Sequence, residues 1–302
     1  MSYVGPDFDP PQPRRPRRGP LTVALAALVP GALIGWFVYE AVGGPGGGSS
    51  AHASSASAGA SVSPTSTASN DDKPPGPSPL KGKVVVIDPG HNVTNFQHTA
   101  EINRKVDIGT NWKECDTTGT STNAGYSEAQ FTMDVSHRLK ALLEKQGVTV
   151  KLTHDTGSPS WGPCVDQRAR IGNDAHADAA LSIHADGAPA GDHGFHVILP
   201  ASVHAGAADT RAIVGPSAVL GRDIASNYLR TTGEPFSNYV GDGTGLDTRK
   251  DLGGLNLSTV PKVFIECGNM RDSNDAALLT NSAWRQKAAQ GISEGIVSFL
   301  RG

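Results

Sequence analysis

Two histidines and a glutamate, His91, Glu128 and His184, form a donor set that could hold one divalent ion. A second glutamate, Glu266, is of the type that serves such an ion as a base. Two imidazoles and a carboxylate are ligands of a catalytic zinc ion, and three ligands leave a fourth position for water. Glu266 ends the apolar strand Val263-Phe264-Ile265-Glu266-Cys267-Gly268, where a carboxylate costs free energy unless it is paired or used. The chemistry open to this set is metal-assisted hydrolysis, with Glu266 taking a proton from water. No HExxH-type signature links the ligands, and each residue has an ordinary reading when taken singly. His91 reads as an exposed polar residue after a turn, Glu128 as a surface residue favoured by the helix dipole, and His184 as a core histidine. Glu266 reads as half of a structural salt bridge with Arg168 or Arg249. His196 is the best substitute ligand or supporting partner, ahead of His98, His137, His154, His176, His193 and His204. A Gly-x-Ser-x-Gly nucleophile elbow is absent.

The elements around these residues bring them towards one side of a sheet. Lys83 to Ile87 is a short run rich in β-branched residues, which reads as a strand buried on both faces. Asp88-Pro89-Gly90 ends it and leaves His91 at the carboxyl end, where open α/β sheets place ligands. Ala179 to Asp186 and Lys262 to Gly268 end in the same style. Ser127 is a good N-cap, Gln130 completes a capping box, and Phe131, Val135, Leu139 and Leu142 recur at helical spacing until Gly147. Glu128 then falls at the first helical position, where the dipole favours its ionised form. Val148 to Thr153 reads as a strand, Cys164 to His176 as a helix, and Gly194 to Leu199 as a strand with an edge position open to it. Pro216 to Thr231 is expected as a helix and Leu246 to Arg249 as a short strand. Two further helices are expected, near Asp272 to Leu279 and Ser282 to Leu300. Such alternation specifies an α/β sandwich around a mostly parallel sheet. The long stretch Asn92 to Tyr126 shows little regular pattern, and loops of that length are usually functional.

Composition divides the chain. Residues 1–20 carry Arg14, Arg15, Arg17 and Arg18 and read as a cytoplasmic N-terminal segment. Residues 21–42 read as a transmembrane anchor or signal segment: the apolar run Leu21 to Tyr39, roughly 19 residues, would span about one hydrocarbon core as a helix. The arginines precede the run, which puts the rest of the chain outside the cytoplasm. Residues 43–80 read as a disordered Gly/Ser/Pro linker with an expected reach of roughly 35 Å, and residues 81–302 read as the globular domain that would carry the chemistry. Net charge is −3 with no block of like charge in the globular part, which argues against nucleic-acid binding. Export makes a Cys115–Cys164 disulfide the expected state, and closing that loop would contribute roughly 4 kcal/mol. Cys267 reads as a small buried hydrophobe, and without Cys-x-x-Cys spacing a cysteine metal site is not expected.

Val84-Val85-Val86-Ile87-Asp88-Pro89-Gly90-His91, the Ser127-Glu128 helix start, Arg168-Ala169-Arg170-Ile171-Gly172-Asn173, Ser182-Ile183-His184-Ala185-Asp186 and Pro261 to Gly268 together resemble the zinc-dependent N-acetylmuramoyl-L-alanine amidases of bacterial cell-wall turnover. The resemblance covers Leu80 to Gly302. It implies that His91, Glu128 and His184 bind Zn2+, that Glu266 is the catalytic glutamate, and that the fold is a mixed sheet of about six strands with helices on both faces. The implied substrate is peptidoglycan or a muropeptide, and the implied place of action is the periplasm or cell wall; the apolar run adds the expectation that the protein is tethered to the plasma membrane or secreted. A monomer is expected. Asp186 stands where the family often has Asn, Asn269 where it often has an aromatic, and Thr153-His154 where it often has Thr-Arg. The alternatives are another exported zinc peptidase acting on stem peptides and a non-catalytic tethered wall-binding regulator.

Overall fold

A computed structural model of the protein describes residues 80–302. The expected N-terminal segment, membrane segment and linker lie outside the described residues, except for Leu80, which is buried in the core. Among the described residues no helix is long and apolar enough to cross a membrane.

Six strands form the central sheet: β1 (Val84–Pro89), β2 (Thr149–Leu152), β3 (Ala179–Asp186), β4 (His196–Pro200), β5 (Leu246–Arg249) and β6 (Lys262–Asn269). Their spatial order is β2-β1-β3-β6-β4-β5. β2, β1, β3 and β6 run parallel, β4 is antiparallel to β6, and β5 is parallel to β4. The mostly parallel mixed sheet expected from the sequence is therefore present. β4 is interior rather than at an edge, because the short β5 pairs with its outer side.

The two faces of the sheet differ. Successive side chains alternate across a strand, and Val85, Ile87, Leu181, Ile183, Val263, Ile265 and Val197 point to one face. There they join one core with Phe131, Val135, Leu139 and Leu143 of α1 (Glu128–Lys145), Leu220, Ile224 and Tyr228 of α3 (Val214–Thr232), and Trp284, Ala288, Ile292 and Ile296 of α4 (Ser282–Arg301). The opposite face holds only a small apolar cluster, Val86, Ala177, Ala180 and Val260, with Ile171 of α2 (Val165–Asp174) packed on it. Farther along that second face the strands present Asp88, Ser182, His184, Lys262, Phe264, Glu266 and His196. The strands read as continuous apolar runs are thus buried on both faces, but polar towards their ends on one of them.

α1 starts as its sequence dictates: Ser127 accepts from the Gln130 amide while the Gln130 side chain accepts from the Ser127 amide. The 92–126 stretch is more ordered than its pattern indicates. It contains the turns Asn95–Gln97 and Thr99–Ile102 and a hairpin of Lys105–Asp107 with Trp112–Glu114. Three- and four-residue elements are too short to leave a periodic signal; tertiary bonds hold them. One such bond is the Cys115–Cys164 disulfide, which ties the stretch to the start of α2. Cys267 is buried and unbridged.

Candidate metal centre and its groove

His91 follows β1, Glu128 opens α1, and His184 lies near the end of β3. One donor atom from each can be chosen so that all lie within 4.8 Å of one another, an arrangement able to hold a metal ion. This is a convergence of segments far apart in sequence. Gly90 permits it, since a Cβ there would meet His184 Cε1 at 2.5 Å and the Ile183 carbonyl at 2.7 Å. His91 itself adopts φ 61°, a left-handed conformation that a non-glycine residue keeps only when its surroundings enforce it.

Those surroundings can be named. His91 Nδ1 lies 3.1 Å from the Thr117 carbonyl and 3.4 Å from Asp116 Oδ1, which leaves Nε2 directed at Glu128 Oε2, 3.2 Å away. His184 turns Nδ1 to Glu128 Oε1 at 2.9 Å, and its ring stacks on Phe264. The Thr120 amide donates to Glu128 Oε2 at 2.9 Å and the Ala185 amide to Oε1 at 3.3 Å. A hydrogen bond on the far nitrogen of His91 fixes its tautomer, as metal-binding histidines require. The donor set and this support therefore fit a zinc-sized ion. Burial works against the Glu128 carboxylate, but His91 and His184 hold its pKa well below the usual range. Burial likewise opposes a charged His91, and Glu128 with Asp116 raises its pKa well above the ordinary value.

Arg168 anchors this support from below. Its guanidinium donates to Asp88 Oδ1 at 2.7 Å, the Pro89 carbonyl at 2.6 Å, the His91 carbonyl at 3.0 Å and Asp116 Oδ2 at 2.9 Å. Asp88 also accepts from Thr153 Oγ1, Ser182 Oγ and, at 3.4 Å, Lys262 Nζ. Burial raises the Asp88 pKa, but Lys262 and Arg168 outweigh it and leave the group far below the usual carboxylate range. Arg168 is therefore committed, and it is not the partner of Glu266.

Glu266 sits between two histidines in the sheet: His184 is its register partner on β3 and His196 its partner on β4. Arg249, the other expected salt-bridge partner, forks onto Asp251 at 2.9 and 2.7 Å. Glu266 Oε2 is shielded from solvent and has no hydrogen-bond partner among the described residues. Burial, with Glu128 and Asp186 nearby, pushes its pKa well above that of an ordinary glutamate. His196 is outside the ligand cluster; it is buried against Tyr239, with Nδ1 also unpartnered among the described residues.

Sequence reasoning singled out all four members of this constellation and missed much of what holds them. Gly119, at φ +72°, lets the Thr117–Thr120 backbone pass so close that a Cβ would meet His91 Cδ2 at 2.7 Å. Asp88 and Lys262 in apolar strands carried the same buried-charge signal that drew attention to Glu266. The three departures from the common family pattern have structural partners. Asp186 accepts from Tyr239 Oη at 2.9 Å, the Asn269 side chain donates to the carbonyls of Ala188, Pro189 and Asp192, and His154, which stands in the place of the arginine, is buried with Nδ1 3.4 Å from Thr153 Oγ1.

Two adjoining cavities open at the cluster. One, about 290 Å3, runs past Glu128, Asp186, Arg249 and Glu266; the other, about 230 Å3, runs past Lys113, Val165 and Gly253.

A family model described as N-acetylmuramoyl-L-alanine amidase matches residues 85–298. An N-acetylmuramoyl-L-alanine amidase of Mycobacterium tuberculosis is 41% identical over 226 residues, covering 74% of this chain and 89% of that protein. The crystal structure of an N-acetylmuramyl-L-alanine amidase from Mycobacterium smegmatis is 38% identical, with a TM-score of 0.67 over 74% of this chain and 98% of that one. The apo form of the Mycobacterium abscessus enzyme is also 38% identical, with a TM-score of 0.66 over 73% of this chain and 100% of that one.

Proposed function

The chain belongs to the N-acetylmuramoyl-L-alanine amidase family, and from that premise we propose that it hydrolyses the amide between the lactyl group of N-acetylmuramic acid and L-alanine of peptidoglycan stem peptides. The observation that carries the site assignment is the convergence of His91, Glu128 and His184 beside an unpaired Glu266 in the next strand. His91, Glu128 and His184 are the ligands of a zinc ion in this reading. When bound, zinc would supply a Lewis acid able to polarise the scissile carbonyl and acidify the attacking water.

The chain's own residues do the rest. Glu266 takes the proton of the attacking water and delivers it to the leaving nitrogen, which otherwise departs as an unstable amide anion. Thr117 and Asp116 hold the His91 ring, and the Thr120 and Ala185 amides hold Glu128, so the ligands are set before substrate arrives. The enzyme acts outside the cytoplasm in this reading, tethered through residues 21–42 when that segment is retained; the Arg-rich segment ahead of the apolar run supports this orientation.

Mass analysis of products from a defined muropeptide tests the reading. The amidase yields a glycan with a free lactyl acid and a peptide beginning at L-alanine; a cut within the stem leaves L-alanine on the glycan and overturns it. Elemental analysis should find one zinc per chain, and His184→Ala should lose both metal and turnover.

A further inference from the structure

The cavity of about 230 Å3 shares His91, Thr117, His184, Leu252 and Phe264 with the catalytic groove, and Asp88, Asp116 and Arg168 in its lining support the metal centre, but the walls beyond them have no part in the hydrolysis. Those walls are mostly apolar: Val165, Gly253 and Gly254, with Leu252 at the junction. The volume is below the roughly 300–1,000 Å3 typical of whole small-molecule sites, so it suits one or two residues better than a glycan.

Its charges are unevenly committed. Asp88 and Asp116 are neutralised by Arg168, Asp251 by Arg249, and Glu114 by Lys105 of the same hairpin. Lys113 lines the cavity too, and its ammonium makes no hydrogen bond or ion pair within 4.0 Å among the described residues. A ligand entering from the groove therefore meets apolar walls and one ammonium without a direct partner, its charge felt only through space by Asp251 and Glu114.

The two halves of the substrate differ in the same respect. The glycan is polar and carries no charge near the scissile bond. The stem peptide begins with the methyl of L-alanine, followed by a D-glutamate linked through its side-chain carboxyl, whose α-carboxyl is either free or amidated. At about 3.5 Å per residue that group lies within two residues of the leaving nitrogen. We propose that this cavity receives the first two residues of the stem peptide and that Lys113 Nζ pairs with the free α-carboxylate of the second, making Lys113 the residue that tells a carboxylate stem from a carboxamide one. This rests on the amidase reading and adds the direction in which the substrate lies.

The test uses the full chain and two muropeptides that differ only in that α-carboxyl, acid or amide. The measured quantity is the ratio of their kcat/KM values, which cancels the active fraction of each preparation. A charge-assisted pair at a partly exposed site sets the expected wild-type preference for the acid at about tenfold. Lys113→Arg keeps the ratio, Lys113→Gln brings it to about one, and Lys113→Glu inverts it. A wild-type ratio near one, or a ratio unchanged in Lys113→Gln, overturns the assignment while leaving the amidase reading intact. Failure of the wild type to cut either muropeptide at the lactyl amide overturns the amidase reading and this inference with it.

Discussion

The two faces of the central sheet are built from the same strands, residue by residue in alternation, yet they do different work. On one face Leu181, Ile183, Val263 and Ile265 meet three long helices in a dry core. On the other, Asp88, Ser182, His184, Lys262 and Glu266 stand where apolar side chains would serve stability better. The difference shows that a polar face survives burial when most of its groups are satisfied, and that the exceptions, Glu266 Oε2 and its neighbour His196 Nδ1 among the described residues, are informative. Asp88 accepts from four side chains. Glu266, one strand away from His184, leaves Oε2 without a partner among the described residues. A satisfied charge positions its neighbours, and an unsatisfied one is available to react.

Substitutions on the two faces should separate these roles. The largest effect is expected from Glu266→Ala: kcat falling by about 10²–10⁴-fold while bound metal and cooperative unfolding persist, read by turnover, elemental analysis and calorimetry. Turnover that persists in the zinc-loaded variant would remove Glu266 from its role. Next, Arg168→Met strands Asp88 and Asp116 without their cation and should cost about 3–5 kcal/mol in urea unfolding. Because Arg168 also holds the His91 carbonyl, this variant should bind metal more weakly, which chelator competition measures. Leu181→Ala, on the apolar face, should lose about 2–5 kcal/mol but retain wild-type turnover per folded molecule. A drop in kcat there would erase the contrast between the faces.

The effect that is smallest at neutral pH, and emerges only on acidification, concerns His154. His154 is buried near the charged network, and burial, helped by Arg168, brings its pKa down to about 4. Between that value and the unfolded value of about 6.5 the unfolded chain binds a proton that the folded chain does not. The contribution of His154 is therefore fully present above about pH 6.5 and is lost as pH falls towards 4, with a slope approaching about 1.4 kcal/mol per unit. His154→Gln should flatten that slope when melting temperatures are compared across the window.

Much of this was legible in the sequence. The capping box at Ser127, the β-branched runs and the Gly and Pro stops are local signals, and they foretell strands and helices to within one or two residues at most ends. Glu266 stood out because a carboxylate ending an apolar strand is costly, and His91, Glu128 and His184 because together they make a metal-ligand set at strand and helix ends. The interior position of β4 was not legible, since sheet order depends on which distant strand adds to its outer edge. Nor was the fate of Arg168, which the sequence offered as a partner for Glu266 and the fold gave to Asp88 and Asp116.

By itself, then, the amino-acid sequence determined the kinds of element, the approximate limits of each, and the residues whose polarity conflicts with their surroundings. Only the tertiary structure decided which face each of them points to, that His91, Glu128 and His184 meet within 4.8 Å, and that Glu266 is left over when the cations have been assigned. Propensity, capping and turn chemistry act over a few residues. Pairing of buried charges, by contrast, depends on distances of a few ångströms between segments up to 174 positions apart, as for Lys262 with Asp88, and only packing sets those distances.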